Sequence, residues 1–247
     1  MTESAARAES PGLGDLSSDL RPGLVVAVDG PSGSGKSTAA RRTAAILGLR
    51  YLDTGAMYRA LTWWLLGQGV DLDDAAAVVA RLDEPELTVV PDPAAPQILV
   101  NGTDVAVPIR TRQVSNAVSV VAAIPQVREV LIAQQREIIA EAVAARAGIV
   151  AEGRDIGTVV APDAPVKVYL TASEQARAER RSGDLVADPA ATVTTIKREQ
   201  ASRDRRDAAQ MVMAHDAVEI DTTALGLDDV VGEIVSMARG FLAVSHG

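Results

Sequence analysis

The chain has 247 residues, a formal net charge of −9 at pH 7 and no cysteine. This charge argues against a general nucleic-acid-binding protein, because affinity for a duplex comes mainly from Lys and Arg side chains that neutralise phosphates. Without cysteine the chain has no disulfide, no thiolate metal ligand and no cysteine nucleophile, which fits the cytoplasmic location that we expect.

The start of the chain has the composition of a flexible tail. Residues 1–23 are rich in Ala, Ser, Gly, Glu and Asp, and they lack the basic start and apolar stretch of a signal peptide. We therefore expect a disordered N-terminal extension followed by a single domain over residues 24–245. No apolar run approaches the ~20 residues that a membrane-spanning helix requires, so we expect no membrane association.

The first predicted elements are a strand and two helices. Residues 24–28 form a short apolar run, which is typical of a strand that is buried on both faces. After a glycine-rich turn, the spacing predicts a helix over residues 36–47 that ends at Gly48. The apolar spacing predicts a second helix over residues 57–66.

The character of the sequence changes after residue 70. Short strand-like segments at 87–90 and 97–100 are separated by prolines. Asn101 and Gly102 are a strong hairpin signal that leads into a third apolar segment at 105–107. We therefore predict a small antiparallel insert over about residues 70–115.

The middle of the chain is predicted to be helical and then to return to strands. Residues 114–147 have mostly helical character with an interruption at Pro125, and segments 148–151 and 166–170 look like two more buried strands.

The last third contains one more strand between helices. Ser173 is a candidate N-cap for a helix that begins at residue 174 and breaks near Gly183. A final strand is predicted at 218–221, followed by a helix over about 228–241. Strands that alternate with helices predict an α/β fold with a doubly wound parallel sheet.

The strongest motif is GPSGSGKST at residues 30–38, which matches G-x-x-x-x-G-K-[ST] between a predicted strand and a predicted helix. In such a P-loop, backbone N–H groups and the helix N-terminus surround phosphate oxygens. Lys36 is expected to reach the β- and γ-phosphates of ATP, and Ser37 to help hold Mg²⁺. The predicted ATP-binding residues of this loop are Gly30, Pro31, Ser32, Gly33, Ser34, Gly35, Lys36, Ser37 and Thr38.

A P-loop by itself leaves several functions open, since switches, motors and transporters also use it. The chain has no Asn-Lys-x-Asp segment of the kind that GTPases use for guanine, and nothing in it resembles a transporter signature. A small-molecule kinase is therefore the leading interpretation. The alternatives are a kinase for UMP or another small acceptor, and a regulatory P-loop protein that binds ATP without an acceptor reaction.

The segment DTGAMYR at residues 53–59 contains candidates for holding a phosphate acceptor. Arg59, about one turn into a helix that starts after a glycine, suits an acceptor phosphate. Tyr58 could stack on a base, and Thr54 could hydrogen-bond to the ligand. The plainer interpretation is the start of an amphipathic helix with one solvated arginine.

The segment EGRDIGT at residues 152–158 follows a predicted strand, where ligands of open parallel sheets gather. Arg154 can bind a phosphate, and Asp155 can accept a hydrogen bond from an exocyclic amino group. The plainer interpretation of this segment is a cluster of surface ions.

These segments, with IRT at 109–111, PQVR at 125–128 and PDAPVK at 162–167, resemble bacterial cytidylate kinase in order and spacing from about residue 24 to residue 238. The resemblance implies a P-loop kinase that transfers the γ-phosphate of ATP to CMP or dCMP with Mg²⁺. It also implies a monomer, an acceptor-binding insert, and a helical lid at about residues 177–196.

The resemblance further implies roles for individual residues. Lys36, Arg59 and Arg154 would carry catalysis by positioning and charge neutralisation. Arg177, Arg180 and Arg181 would lie where the lid closes over ATP. The residues expected at the CMP site, by motif or by resemblance, are Thr54, Tyr58, Arg59, Arg110, Ser119, Arg128, Arg154, Asp155 and Arg206.

Asp155 offers a physical basis for preferring cytosine to uracil. Cytosine presents an amino donor where uracil presents a carbonyl acceptor. A buried carboxylate that faced uracil would be left unpaired, at a cost of about 1–3 kcal/mol.

The stretch over residues 197–207 departs from the family pattern. It has Glu199 where the family has an aspartate, and it contains one additional residue. We align the later family arginine with Arg206, and the nearest counterpart of the aspartate that contacts ribose is Asp204. The preference between CMP and dCMP is left open by this irregularity.

Overall fold

The computed structural model describes residues 23–184 and 192–245. The predicted N-terminal extension, apart from Gly23, and the middle of the predicted lid lie outside these residues. The strands in the described part are β1 (Val25–Asp29), β2 (Arg50–Asp53), β3 (Leu87–Val90), β4 (Gln97–Val100), β5 (Thr103–Asp104), β6 (Ile149–Gly153), β7 (Val166–Thr171) and β8 (Val218–Asp221).

The helices cover most of the remaining described chain. A short 3-10 helix at Pro108–Arg110 and a turn of π-helix at Ile156–Val160 join longer elements. The α-helices are α1 (Lys36–Leu47), α2 (Thr54–Gly67), α3 (Ala75–Val79), α4 (Arg112–Ala122), α5 (Pro125–Ala144), α6 (Glu174–Asp184), α7 (Val193–Asp207) and α8 (Leu227–Ser245).

The central sheet is parallel, with the strand order β2-β6-β1-β7-β8. All five residues of β1 are buried, as expected for an apolar strand that is covered on both faces. The aliphatic core divides between a face covered by α2, α4 and α5 and a face covered by α1 and α8. The predicted α/β fold with a parallel sheet is confirmed.

The predicted insert contains a separate antiparallel sheet with the order β3-β4-β5. Its hairpin turns at Asn101 and Gly102, whose φ angles of 50° and 76° suit the two-residue turn expected from these residues. The third strand was predicted at 105–107, and this was wrong. The chain leaves the sheet after Asp104, whose carboxylate accepts a hydrogen bond from the N–H of Ala106 at 2.9 Å.

The start of α2 also differs from the prediction. The helix begins at Thr54, before Gly55, because the side chain of Asp53 accepts a hydrogen bond from the N–H of Ala56 at 2.8 Å and caps the first turn. At the end of α1 the prediction is confirmed, since Gly48 terminates the helix in the left-handed conformation.

Several elements were absent from the sequence-based description, among them α3, the 3-10 helix and the π-helical turn, and two of the others contribute to the parallel sheet or to the site. The short strand β2 lies at the edge of the sheet beside β6, and helix α7 crosses the polar, arginine-rich stretch of residues 193–207. Neither has a long apolar pattern, because β2 is only four residues long and α7 is mostly polar.

No single helix within residues 23–184 and 192–245 combines the length and apolarity needed to cross a membrane. Only α4 and α5 taken together meet that requirement, and they are bent by 100° relative to each other. Both helices contribute buried residues to the aliphatic core.

Asp29 ties the end of β1 to the segment that follows β6. Its buried carboxylate accepts hydrogen bonds from the N–H groups of Ile156 and Gly157, both at 2.8 Å. Burial raises the pKa of Asp29 to about 6, although the two hydrogen bonds act in the opposite direction. These bonds fix the backbone directly after Asp155 and thereby orient one wall of the cavity described below.

The raised pKa of Asp29 predicts a pH-dependent stability difference between the wild type and Asp29→Asn. The pKa is about 6 in the folded protein and 3.8 as the reference value, so the folded state binds this proton more tightly. The stabilising contribution is therefore complete below about pH 3.8 and is lost as the pH rises through about 6.

Between these limits, the free energy of unfolding of the wild type should fall relative to that of Asp29→Asn by up to about 3 kcal/mol. Urea unfolding of both proteins over this pH range measures the difference. A difference that is independent of pH would contradict the assigned environment of Asp29.

Candidate active site

A cavity of about 740 Å³ lies at the carboxyl ends of β1, β2 and β6. Of the residues predicted from the sequence, the structure brings most to its wall and leaves five away from it. The predicted residues that line the cavity are Ser32, Gly33, Gly35, Lys36, Ser37, Thr38, Thr54, Tyr58, Arg59, Arg110, Ser119, Arg128, Arg154, Asp155, Arg180 and Arg181. Those that do not are Gly30, Pro31, Ser34, Arg177 and Arg206.

Glycine is required in the P-loop by close approach as well as by backbone conformation. Gly30 has a φ of 143°, and a Cβ placed there would lie 2.1 Å from the carbonyl oxygen of Leu170. Gly35, with a φ of 91°, directly precedes α1 and lets the loop turn into that helix. The loop is thus held against β7 with its helix N-terminus facing the cavity.

Lys36 is buried at the floor of the P-loop. Its Nζ donates a hydrogen bond to the carbonyl oxygen of Pro31 at 3.2 Å. Burial, and then repulsion from Arg154, lower its pKa well below the ordinary value for lysine. An anion bound in the loop would stabilise the charged form of this side chain.

Arginines from three helices meet beside the P-loop. Arg59 of α2 donates to the Oγ of Ser115 at 2.8 Å, and Arg181 of α6 donates to the same oxygen at 3.1 Å. Burial lowers the pKa of Arg59, and the charges of Arg203, Arg181 and Arg110 lower it further. These guanidinium groups therefore repel one another.

Arg154 connects the P-loop with α7. Its Nη1 donates to the carbonyl oxygen of Gly30 at 2.9 Å, and its Nε lies 3.4 Å from the Oδ2 of Asp207. The side chain follows β6 directly and points across the end of β1, so it lies between the phosphate loop and the arginines of α2 and α7.

Glu152 was not among the predicted site residues, although it lines the cavity. It accepts a hydrogen bond from the hydroxyl of Tyr51 at 3.2 Å and forms another with the side chain of Ser37. Burial, and then the charge of Asp53, raise its pKa. The feature of the sequence that could have indicated Glu152 as a site residue is its position at the end of a buried strand, directly before Gly153 and Arg154.

Two neighbouring contacts fix the segment that opens α2. The hydroxyl of Thr54 donates to the carbonyl oxygen of Glu152 at 2.8 Å. The Oδ2 of Asp53 pairs with the Nη2 of Arg110 at 2.9 Å, which joins the insert to the start of α2. Thr54 is therefore already engaged with the protein backbone.

The far end of the cavity is less strongly charged. Arg128 of α5 forms an ion pair with Asp155, and Val118, Ala122 and Ala123 supply apolar wall. The Oγ of Ser119 is buried and has no hydrogen-bond partner among the described residues. This end combines an apolar wall with fixed polar groups, as expected for a site that binds a flat heterocycle.

The three arginines predicted to lie in a lid have different surroundings. Arg177 is buried behind the P-loop, where its Nη1 donates to Asp204 at 2.6 Å and to the carbonyl oxygen of Ser32 at 3.3 Å. Arg180 donates to the hydroxyl and the carbonyl oxygen of Thr222 at 2.9 and 2.6 Å. Only Arg180 and Arg181 of these three line the cavity.

On α7 the structure places Arg203, and not Arg206, at the cavity. Arg203 is only 7% exposed and lines the wall, as does Asp207 four residues later, whereas Arg206 is exposed. With about 3.6 residues per turn, position 207 is rotated from 203 by about 40° and position 206 by about 60° in the opposite direction, so position 206 lies about 100° away from 207 around the helix. The polar sequence of α7 does not indicate which of these arginines faces the cavity.

The chain matches the sequence model described as cytidylate kinase over residues 26–240. The chain belongs to the cytidylate kinase family. It is 48% identical over 219 residues to the cytidylate kinase of Streptomyces avermitilis, covering 88% of this chain and 94% of that protein. Its identity to the cytidylate kinase of Streptomyces coelicolor is 51% over 219 residues, with the same two coverages.

Among solved structures, a gluconokinase from Sinorhizobium meliloti is 16% identical, with a TM-score of 0.49 and coverage of 91% of this chain and 96% of that chain. The predicted enzyme class, a kinase of the cytidylate kinase family, is confirmed by the family match.

Proposed function

We propose that the protein transfers the γ-phosphate of ATP to the phosphate of CMP, and of dCMP, by direct in-line displacement. The observation that carries this proposal is one continuous cavity in which the P-loop and Lys36 lie beside three arginines, the half-buried Arg59 and Arg154 and the buried Arg203. Two sets of anion-binding groups in one cavity suit a reaction between two phosphates.

The reaction as proposed requires positioning and charge neutralisation but no strong base, because the acceptor phosphate is already nucleophilic. Lys36 and the backbone N–H groups of the P-loop bind the transferred phosphate. Arg59 and Arg203 bind the acceptor phosphate, and Arg154 lies between the two sites, where negative charge develops during transfer.

The residues beside the P-loop fit Mg²⁺ bound to ATP. Mg²⁺ usually keeps several waters and takes one or two oxygen ligands from the protein. The hydroxyl of Ser37 can supply such a ligand, since its hydrogen bond with Glu152 leaves oxygen lone pairs for a cation. When bound, the ion neutralises charge on the β- and γ-phosphates.

The far end of the cavity is proposed to bind cytosine. Arg128 holds the carboxylate of Asp155, Asp29 fixes the backbone that follows it, and the hydroxyl of Ser119 faces the same space. Asp155 then accepts a hydrogen bond from the amino group of cytosine.

We also expect the protein to be a monomer and to lie in the cytoplasm; the oligomeric state and the location both remain predictions.

The release of ADP from Mg·ATP, with CMP, dCMP, UMP or AMP as the sole acceptor, tests the proposed function. CMP should stimulate release roughly 5- to 150-fold more than UMP, which corresponds to 1–3 kcal/mol for a carboxylate left unpaired by uracil. As a control, Lys36→Ala should lose nearly all turnover and still bind CMP. Stimulation by UMP alone would overturn the role of Asp155, and no stimulation by any acceptor would favour the regulatory alternative.

The two arginines of α7 provide a matched pair of variants. Arg203→Gln should lower kcat/KM for CMP by roughly 10- to 150-fold, because a buried charged donor to the acceptor phosphate is lost. Arg206→Gln removes an exposed charge outside the cavity, so its kcat/KM should stay within about 2-fold of the wild type. Steady-state kinetics with varied CMP measure both values. If Arg206→Gln lowered kcat/KM for CMP more than Arg203→Gln did, the role at the acceptor phosphate would belong to Arg206 instead.

A further inference from the structure

Ser115 lies on α4 behind the arginines that line the cavity. It is 5% exposed and is not itself part of the cavity wall. It lies one turn before Ser119 on the same helix face. Neither the P-loop motif nor the acceptor motifs include Ser115, so its role in the site follows from its contacts.

The Oγ of Ser115 accepts hydrogen bonds from two arginines that belong to different parts of the proposed site. The Nη1 of Arg59, on α2, lies at 2.8 Å, and the Nη2 of Arg181, on the lid helix α6, lies at 3.1 Å. One hydroxyl oxygen has two lone pairs, which are enough for both donors. The shared oxygen therefore connects the acceptor-site arginine to the lid arginine.

Ser115 holds two side chains of like charge, Arg59 and Arg181, next to each other. The charge of Arg181 is one of the causes that lower the pKa of Arg59, after burial and Arg203. A carboxylate at position 115 would add a negative charge between the two arginines, whereas a hydroxyl orients both guanidinium groups without adding charge. Ser115 itself therefore fixes their positions and neutralises neither.

We propose that Ser115 is a positioning residue that couples binding of the acceptor nucleotide to binding of ATP. This inference rests on the proposed function, in which Arg59 contacts the acceptor phosphate and Arg181 closes over ATP. An ATP that engages Arg181 fixes the position of Ser115 and, through it, the position of Arg59. The acceptor then binds to an arginine that is already ordered, and linkage requires the same effect in the reverse direction.

The test is a comparison of CMP binding with and without a saturating, non-hydrolysable ATP analogue and Mg²⁺. Calorimetry gives the two dissociation constants, and their ratio is the coupling factor. The wild type should show a coupling factor of about 5 or more, within the range usual for linked sites. In Ser115→Ala the coupling factor should fall to about 2 or less, while CMP binding alone changes by a smaller factor.

Two controls separate this role from a merely structural one. Ser115→Ala replaces serine by the best helix former, so the variant should fold, and thermal unfolding checks this. Asn116→Ala changes the next residue of α4, which is exposed, and should keep the coupling factor of the wild type.

Ser115→Ala with an unchanged coupling factor would overturn the inference, even if it bound CMP more weakly. A wild type with no coupling between the nucleotides would also overturn it while leaving the proposed function intact. Failure of the wild type to bind CMP under any condition would instead reject the proposed function itself.

Discussion

Repulsion between buried cationic side chains is the constraint around which the site is built. Lys36, Arg59 and Arg203 are largely removed from water, and burial together with neighbouring arginines lowers their pKa values. The protein orients several of these cations with neutral oxygens, such as the carbonyls of Pro31 and Gly30 and the hydroxyl of Ser115. Neutral acceptors fix geometry without cancelling charge, and nearby carboxylates such as Asp53 and Asp207 offset the repulsion only in part, so a bound anion would lower the electrostatic cost further. A site of this kind is organised for polyphosphate before any substrate arrives.

The order of the strands explains how distant segments form one cavity. Strand β6 lies between β1 and β2, so the segments that follow these three strands emerge side by side at the same edge of the sheet. The P-loop follows β1, the cap and first turn of α2 follow β2, and Glu152 to Asp155 end β6 and continue beyond it. Helices α4 and α7 close the cavity from the opposite side. The phosphate end and the base end of the proposed site therefore belong to a single rim of the sheet.

The sequence was informative where backbone constraints and motifs are local. The P-loop, the buried strands, the hairpin at Asn101 and Gly102 and the stop at Gly48 each depend on a few neighbouring residues, and their positions were predicted correctly. The errors arose where a longer-range interaction decides the structure. Asp53 starts α2 before Gly55 by capping it, and the choice between Arg203 and Arg206 depends on the face of a helix whose polar sequence gives no apolar pattern. The contacts of Ser115 join α4 to α2 and α6, and no local pattern indicates them.

The central claim is that one cavity holds both nucleotides with their phosphates adjacent. A bisubstrate analogue, in which adenosine and cytidine are joined through a continuous phosphate chain, tests this most directly by competition binding. The account predicts that the analogue displaces both ATP and CMP, and that it binds at least about 100-fold more tightly than CMP alone, because the second contact becomes intramolecular. An analogue that displaced ATP but left CMP bound, or that bound no more tightly than ATP, would contradict the account.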